Sequence, residues 1–309
     1  MARFSRRDFL KSGLLGVASL AATTSNCAKN AANLPRGSKN GFTMWQLNTQ
    51  CNQIGNTYVF LTDRGRVVVM DGGWDKDELY LRGFLCMLGG KVDTWFVSHP
   101  HMDHITSLVH ILQDPRGISI RRIVHSRFSD SLLQTEENDR KTARELYVQL
   151  DKHKEDIDVV DLRQPGMTGR IDGFRFKILG VTNEEFNKVN TYNNSSVIIR
   201  VWDNRKSLLF LGDAGVECGD KVLNGPYRKD LDCDYMQMAH HGQNGCSEAF
   251  YRALRFKACL WSTPRWVWEN DFGKGPGSGT LKTAETRRWM DEKGITEHHV
   301  SWQGLWQLD

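Results

Sequence analysis

From Phe42 onward, short apolar runs alternate with longer segments whose apolar residues recur three and four positions apart. The runs FTMWQLN, TYVFLT and RVVVMDGG follow one another closely, the last two through a turn at Asp63-Arg64-Gly65, and predict a meander of three strands. DKDELYLRGFLCML carries helical spacing and stops at Gly89-Gly90, after which DTWFVSH reads as a buried strand. The series continues with a helix over HITSLVHILQD, a strand IRRIVHS, a long helix around Asp130 to Lys152 and a strand IDVVDLR. A second half repeats the theme. Strands FRFKILG, SSVIIRVW and SLLFLGD lead to a helix, then strand DYMQMAHH, helix SEAFYRAL and strand KACLWST. A helix around Leu281 to Lys293 and two short strands, HHVSW and GLWQL, close the chain. Two meander-led halves with interleaved helices predict an α/β fold of two facing sheets with helices outside.

The first residues break this pattern. MARFSRRDFLKSGLLGVASLAATTSNC runs from a basic start through an apolar stretch, Gly13 to Ala22, into small polar residues, the layout of an export signal. That stretch falls well short of the roughly 20 residues a membrane-spanning helix needs, so no transmembrane helix is expected in the mature chain. Ser5-Arg6-Arg7-Asp8-Phe9-Leu10-Lys11 resembles the twin-arginine signal at every position. The expected address is therefore periplasmic, or anchored at the cell envelope. Cleavage fits after Ala21 or Ala22, while a lipid anchor at Cys27 is the minority alternative, because Asn26 sits where a lipobox usually has a small residue. Twin-arginine export carries folded proteins, which suits a chain that must take up a cofactor first. Residues 28–40, AKNAANLPRGSKN, read as a flexible tether, leaving 41–309 as the folded domain.

Composition adds limits. The chain has 309 residues, 39% hydrophobic and 25% charged, enough apolar material for a large core. Arg3, Arg6, Arg7 and Lys11 against Asp8 supply +3 of the formal net +4, so the mature chain is near +1. Overall charge thus gives no support to high-affinity nucleic-acid binding, although a local basic patch stays open. The seven cysteines lie far apart without a Cys-x-x-Cys pair, which excludes zinc-ribbon and thioredoxin-type sites. Disulfides and buried free thiols both remain open for them.

The candidate chemistry is concentrated in SHPHMDHI, Ser98 to Ile105, where His99, His101, Asp103 and His104 follow an apolar strand. Sites in α/β folds gather where strand gives way to helix. In a tight turn there, His99 and His101 can converge on one ion while Asp103 and His104, starting the helix, point toward a second. Imidazole and carboxylate at this density suit zinc, manganese or iron.

The pattern His-x-His-x-Asp-His resembles the signature of the metallo-β-lactamase superfamily. Asp71 in VVVMDGG, Asp213 in LFLGDAG and His240-His241-Gly242 in AHHGQ match further motif positions in order. NNSSVIIRVWDNRKSLLFLGDAG and HHGQNGCS look closest to the hydrolase domain of the DNA-uptake competence protein ComEC. The resemblance implies an αββα sandwich of two facing mixed β-sheets, and a hydrolase with two bound ions, zinc above all. Asp213 would bridge them, and either His240 or His241 would be the late histidine. Two such ions turn water into hydroxide near neutral pH and clamp a phosphoryl or carbonyl oxygen. Asp103 and Asp71 are the candidate catalytic carboxylates, Asp71 by holding a histidine or a backbone loop behind the ions.

Two departures qualify the resemblance. Most members carry another first-site histidine on the turn before SSVIIRVW, where this chain has Asn193 and Asn194, here candidate substrate contacts. His125, ending RRIVHS, is the nearest other imidazole, and reads more readily as a strand-end residue, as do His298 and His299. The Gly-His-Pro segment typical of ComEC-like domains is replaced by ENDFGKGPGSGTLKTAE. In the adjoining TPRWVWENDFGKGPGSG, Trp266 and Trp268 either wall a substrate cleft or pack onto the fold. The expected activity is cleavage of a phosphoester or phosphodiester. Amide or ester hydrolysis of the lactamase or lactonase kind, and a catalytically weak metal-retaining binding protein, are the alternatives.

Overall fold

A strand buried on both faces has no polar side to show, so it reads as a continuous apolar run. A computed structural model describes residues 34–309; the export signal, Cys27 and the first part of the tether lie outside the described residues. In it, those runs form β1 (Phe42–Gln46), β2 (Tyr58–Thr62) and β3 (Val67–Met70), buried at every position. β4 (Lys91–Phe96), β5 (Ser119–His125) and β6 (Asp158–Asp161) extend the same sheet. A second sheet contains β7 (Thr168–Ile171), β8 (Phe174–Gly180), β9 (Ile198–Trp202), β10 (Ser207–Phe210), β11 (Tyr235–Gln237), β12 (Ala258–Trp261) and β13 (Glu297–Val300). The last strand, β14 (Trp306–Leu308), does not stay with the second half as its place in the chain suggests; it returns to the first sheet and pairs antiparallel with β1.

The strand orders are β14-β1-β2-β3-β4-β5-β6 and β13-β12-β11-β10-β9-β8-β7. Each sheet is mixed. The meander strands pair antiparallel, and β3 to β6 in one sheet and β10 to β13 in the other pair parallel. Parallel strands leave their carboxyl ends on one edge, where the loops after β4, β10 and β11 meet.

Between the sheets lies an aromatic core in which Phe60 meets Phe174, Phe96 meets Phe176 and Tyr58 meets Phe210, edge to face with centroids 5.1, 5.0 and 4.9 Å apart. The outer layers are helical. α1 (Glu78–Met87), α2 (Met102–Gln113), α3 (Asp130–Leu133) and α4 (Glu137–His153) cover the first sheet. α5 (Val216–Leu223), α6 (Glu248–Ala253), α7 (Arg265–Glu269) and α8 (Thr283–Glu292) follow along the second half, with α5, α6 and α8 burying their apolar faces against the second sheet. This is the αββα sandwich.

The structure departs from the pattern-based expectation at three further places. The single helix expected over 130–152 is two, because the Tyr192 hydroxyl takes the Leu133 carbonyl at 3.1 Å and Glu136 turns extended before α4 begins. β7, with the sequence TGRI, has no strand signal in the sequence because it carries no apolar run. The tether expected up to residue 40 is already docked from Gly37, whose N–H donates to the Thr62 carbonyl at 2.8 Å. Among the described residues, no helix is long and apolar enough to cross a membrane. Cys51, Cys218, Cys233, Cys246 and Cys259 carry free thiols.

Candidate metal centre

β4 ends at Phe96, and Ser98 to His101 turn across the sheet edge into α2, where His101 takes the N-cap position. His99 Nε2 and His101 Nδ1 stand 2.9 Å apart. Asp103 and His104 fall in the first helical turn, which swings them away from that pair. From the other sheet, Asp213 follows β10, and its backbone N–H donates to Ser196 Oγ at 3.0 Å. Gly212 makes this approach possible: its φ is 55°, and a Cβ there would lie 2.9 Å from Ser98 Cβ and Ser196 Oγ. His241 follows β11 and is oriented by its Nδ1, 2.8 Å from the Ser262 carbonyl.

These side chains form two groups that share Asp213. Asp103, His104, Asp213 and His241 make up one, His99, His101 and Asp213 the other, and within each the ligand atoms all lie within 4.8 Å of one another. The donor set fits a pair of cations on a further ground. Asp103 Oδ2, His104 Nε2, Asp213 Oδ1 and His241 Nε2 are buried without a hydrogen-bond partner. They approach one another at distances such as 2.9 Å (His241 to Asp103) and 3.2 Å (His104 to Asp213), yet without hydrogen-bond geometry. Donors facing a common centre, and not each other, look like this.

The charges agree. Burial works against protonation of His241, but the Asp213 and Asp103 carboxylates overcome it and push its pKa up to about 10. His104 is raised in the same way. His99, buried and crowded by His104 and His101, is pushed well below its ordinary value, first by burial. Anionic charge is thus stored where a cation would sit.

Behind the ligand atoms lies a hydrogen-bonded frame. Asp71 accepts from the Ser98 backbone at 2.7 Å and from Ser98 Oγ and Asn56 Nδ2 at 2.8 Å, and its Oδ2 is 2.8 Å from His104 Nδ1. Both oxygens are occupied in this way, so Asp71 holds a histidine and a backbone loop, as expected, and serves as a positioning residue that does not itself touch substrate. Asn56 in turn accepts from Ser262 Oγ at 2.6 Å, which joins the frame to the strand end that orients His241. On the opposite side, Glu136 Oε2 is 2.7 Å from His101 Nε2, while its Oε1 accepts the Tyr192 N–H at 2.9 Å and the Tyr192 ring stacks on His101. Sequence reasoning missed Ser98, Asn56, Ser262 and Glu136. Only Ser98, adjacent to the motif, carried any signal.

The remaining candidates divide. Asn194 is committed to structure: its Nδ2 donates to the Val189 carbonyl and Glu217, and its Oδ1 accepts the Cys218 N–H at the start of α5. Both Nδ2 hydrogens are committed and the side chain is fully buried, so it does not face a substrate. Asn193 keeps a buried Oδ1 without a partner, and its Nδ2 lies 3.4 Å from His240 Nε2. Trp268 packs edge-on against Trp261 with Arg287 over its face, so it belongs to the core and not to a cleft wall. Trp266 donates to the Asn52 carbonyl at 3.0 Å and leans on Phe272, an exposed aromatic of the glycine-rich loop. His125 is buried beside Tyr147, outside both groups. His298 takes the Trp261 indole N–H, and His299 stacks on Trp306.

Comparison with known proteins adds three findings. The sequence model of the metallo-beta-lactamase superfamily matches residues 52–244. No curated protein matches the chain. Among solved structures, the metallo-beta-lactamase fold protein YhfI from Bacillus subtilis superposes with a TM-score of 0.52 at 12% identity, over 86% of this chain and 99% of that one. CmlA, a diiron beta-hydroxylase from Streptomyces venezuelae, gives 0.52 at 12% identity over 89% of this chain and 54% of its own. A diphosphatase from the PhnP family gives 0.43 at 14% identity over 76% of this chain and 93% of its own. At these identities the likeness to YhfI and CmlA concerns the fold alone.

Proposed function

The chain belongs to the metallo-beta-lactamase superfamily, and from that premise we propose that it is an exported, two-cation hydrolase that cleaves a phosphoester or phosphodiester. One observation carries the reading: two groups of converging donors share one carboxylate, and four of their atoms are buried and unpartnered. When bound, a pair of cations supplies Lewis acidity toward a phosphoryl oxygen and lowers the pKa of water. The chain's own residues do the rest. Asp71 and Ser98 fix the His104 and His99 rings, Glu136 fixes His101, and Ser262 fixes His241, so the rings are oriented before loading. Asp103, at the mouth of the helix, is the carboxylate placed to take a proton from an incoming water.

The choice of phosphodiester over amide is supported by the ComEC-like order Asn193-Asn194-x-Ser196, Gly212-Asp213, His240-His241-Gly242. Export is supported by the twin-arginine pattern, with a lipid anchor at Cys27 as its variant. Zinc suits the His/Asp donor set, and iron and manganese suit it as well. The binding-protein alternative draws on one observation, the amides at Asn193 and Asn194 where relatives place a histidine.

The test is metal-dependent turnover of bis-p-nitrophenyl phosphate by protein from Ala28 onward, beside His101→Ala and nitrocefin. Turnover lost in His101→Ala supports the proposal. Nitrocefin hydrolysis without phosphodiester turnover favours the lactamase-type reading, and two bound metals without either activity favour the binding protein.

A further inference from the structure

The two donor groups are unequal. One has four side chains, Asp103, His104, Asp213 and His241; the other has three, His99, His101 and Asp213. Beside the poorer one stands an imidazole that neither group includes. We infer that His240 supplies its missing nitrogen, so that consecutive histidines serve the two cations, His241 one and His240 the other. This rests on the two-cation reading and names the ligand that completes it.

Three observations point the same way. Asp213 Oδ2 lies 3.2 Å from His241 Nε2 and 3.9 Å from His240 Nε2. Two donors each about 2.0–2.2 Å from one ion stand no more than about 4.4 Å apart, so His240 is within reach of an ion held by Asp213, while its nitrogen falls outside the 4.8 Å group of His99, His101 and Asp213 and joins that ion only by swinging toward it. The ring is also presented correctly. His240 Nδ1 lies 3.3 Å from the Asn244 carbonyl, which takes its proton and leaves the lone pair on Nε2. That nitrogen has only a long contact, 3.4 Å to Asn193 Nδ2, whose shorter partner is Asn190 Oδ1 at 2.8 Å.

The backbone supplies the third observation. His240 and His241 both adopt left-handed conformations, with φ of 52° and 54°, directly before Gly242 at 79°. A bulky residue pays roughly 1–2 kcal/mol for that conformation. Two in succession set both rings toward Asp213 from one short turn, as strain at a functional site does.

The experiment loads full-length mature protein with zinc and with cobalt, and measures metal per chain, affinity by chelator competition, and the cobalt visible spectrum. His240→Asn keeps a residue that tolerates the left-handed backbone, and circular dichroism verifies its fold. The expected result is two metals in the wild type, with one weakened about tenfold or more in His240→Asn and a changed cobalt spectrum. Asn193→His combined with His240→Asn, which places an imidazole beside the vacated position, should restore the second metal. Both metals held at wild-type affinity in His240→Asn, with an unchanged spectrum, would overturn the inference while leaving the hydrolase reading intact. A wild type that binds no metal overturns both.

Discussion

Glu136→Gln preserves size and shape and isolates what a carboxylate does behind His101. Glu136 now accepts two hydrogen bonds, from His101 Nε2 at 2.7 Å and from the Tyr192 N–H at 2.9 Å. A glutamine has one carbonyl oxygen, so only one of these donors is satisfied and the other faces an amide NH₂. If the oxygen stays with Tyr192, the NH₂ points at His101 Nε2 and favours the tautomer with its proton on Nδ1, the nitrogen that faces His99. Loss of such a carboxylate behind a metal-binding histidine costs about 10- to 100-fold in affinity, or about 1.4–2.7 kcal/mol. Glu136 is partly open to solvent, with 27% of its side chain exposed, so the lower end applies. Competition with a chromophoric chelator measures the affinity, and circular dichroism checks the fold. An affinity within about twofold of wild type would refute the argument, since tautomer control cannot be that weak over so short a contact.

Asp71→Asn should destabilise the metal-free protein by about 3–5 kcal/mol in urea denaturation, because a buried carboxylate with four partners becomes an amide facing donors. His125 is buried, and burial pushes its pKa down to about 4. Its unfolded value is near 6.5, so the stability held by the neutral ring is complete above pH 6.5 and lost as pH falls toward 4, by about 3 kcal/mol. Urea midpoints of metal-free protein at pH 7.5 and 4.5 should therefore converge in His125→Gln relative to wild type; parallel shifts would refute this. Gly242→Ala places a Cβ 2.4 Å from the Trp261 ring at a φ of 79°. It should cost about 2–4 kcal/mol and lower the Tm by several degrees, and an unchanged Tm would show that the turn relaxes freely.

The fold was legible where burial is two-sided, because runs such as VVVM and SLLF have no other use in a strand of four residues. It was illegible where tertiary contacts override local pattern. Nothing in SDSLLQTEEND tells that Tyr192, far along the chain, will take the Leu133 carbonyl and split the helix. That break is also what sends Glu136 to His101, so the same contact concealed a site residue. His99, His101, Asp103, His104 and Asp213 were legible because ligand chemistry demands unusual side chains at close spacing. The frame of Asn56, Ser98 and Ser262 uses ordinary polar residues, whose roles exist only once two sheets meet. The place of Asn194, and the choice left open for Trp268, were illegible for the same reason: an amide and an indole suit a cleft, but here an α5 N-terminus and the Trp261 ring occupy them.

The pairing of β14 with β1 has a bearing on how the molecule is made. Trp45 Nε1 donates to Gln307 across a separation of 262 residues, and Thr43 Oγ1 donates to Asp309 across 266. During synthesis the apolar β1 edge emerges early and waits for its partner until β14 has left the ribosome. Closing so long a loop is slow, and an open strand edge invites pairing with other chains. A nascent molecule, or one nicked ahead of β14, therefore presents a sticky margin that the folded one conceals.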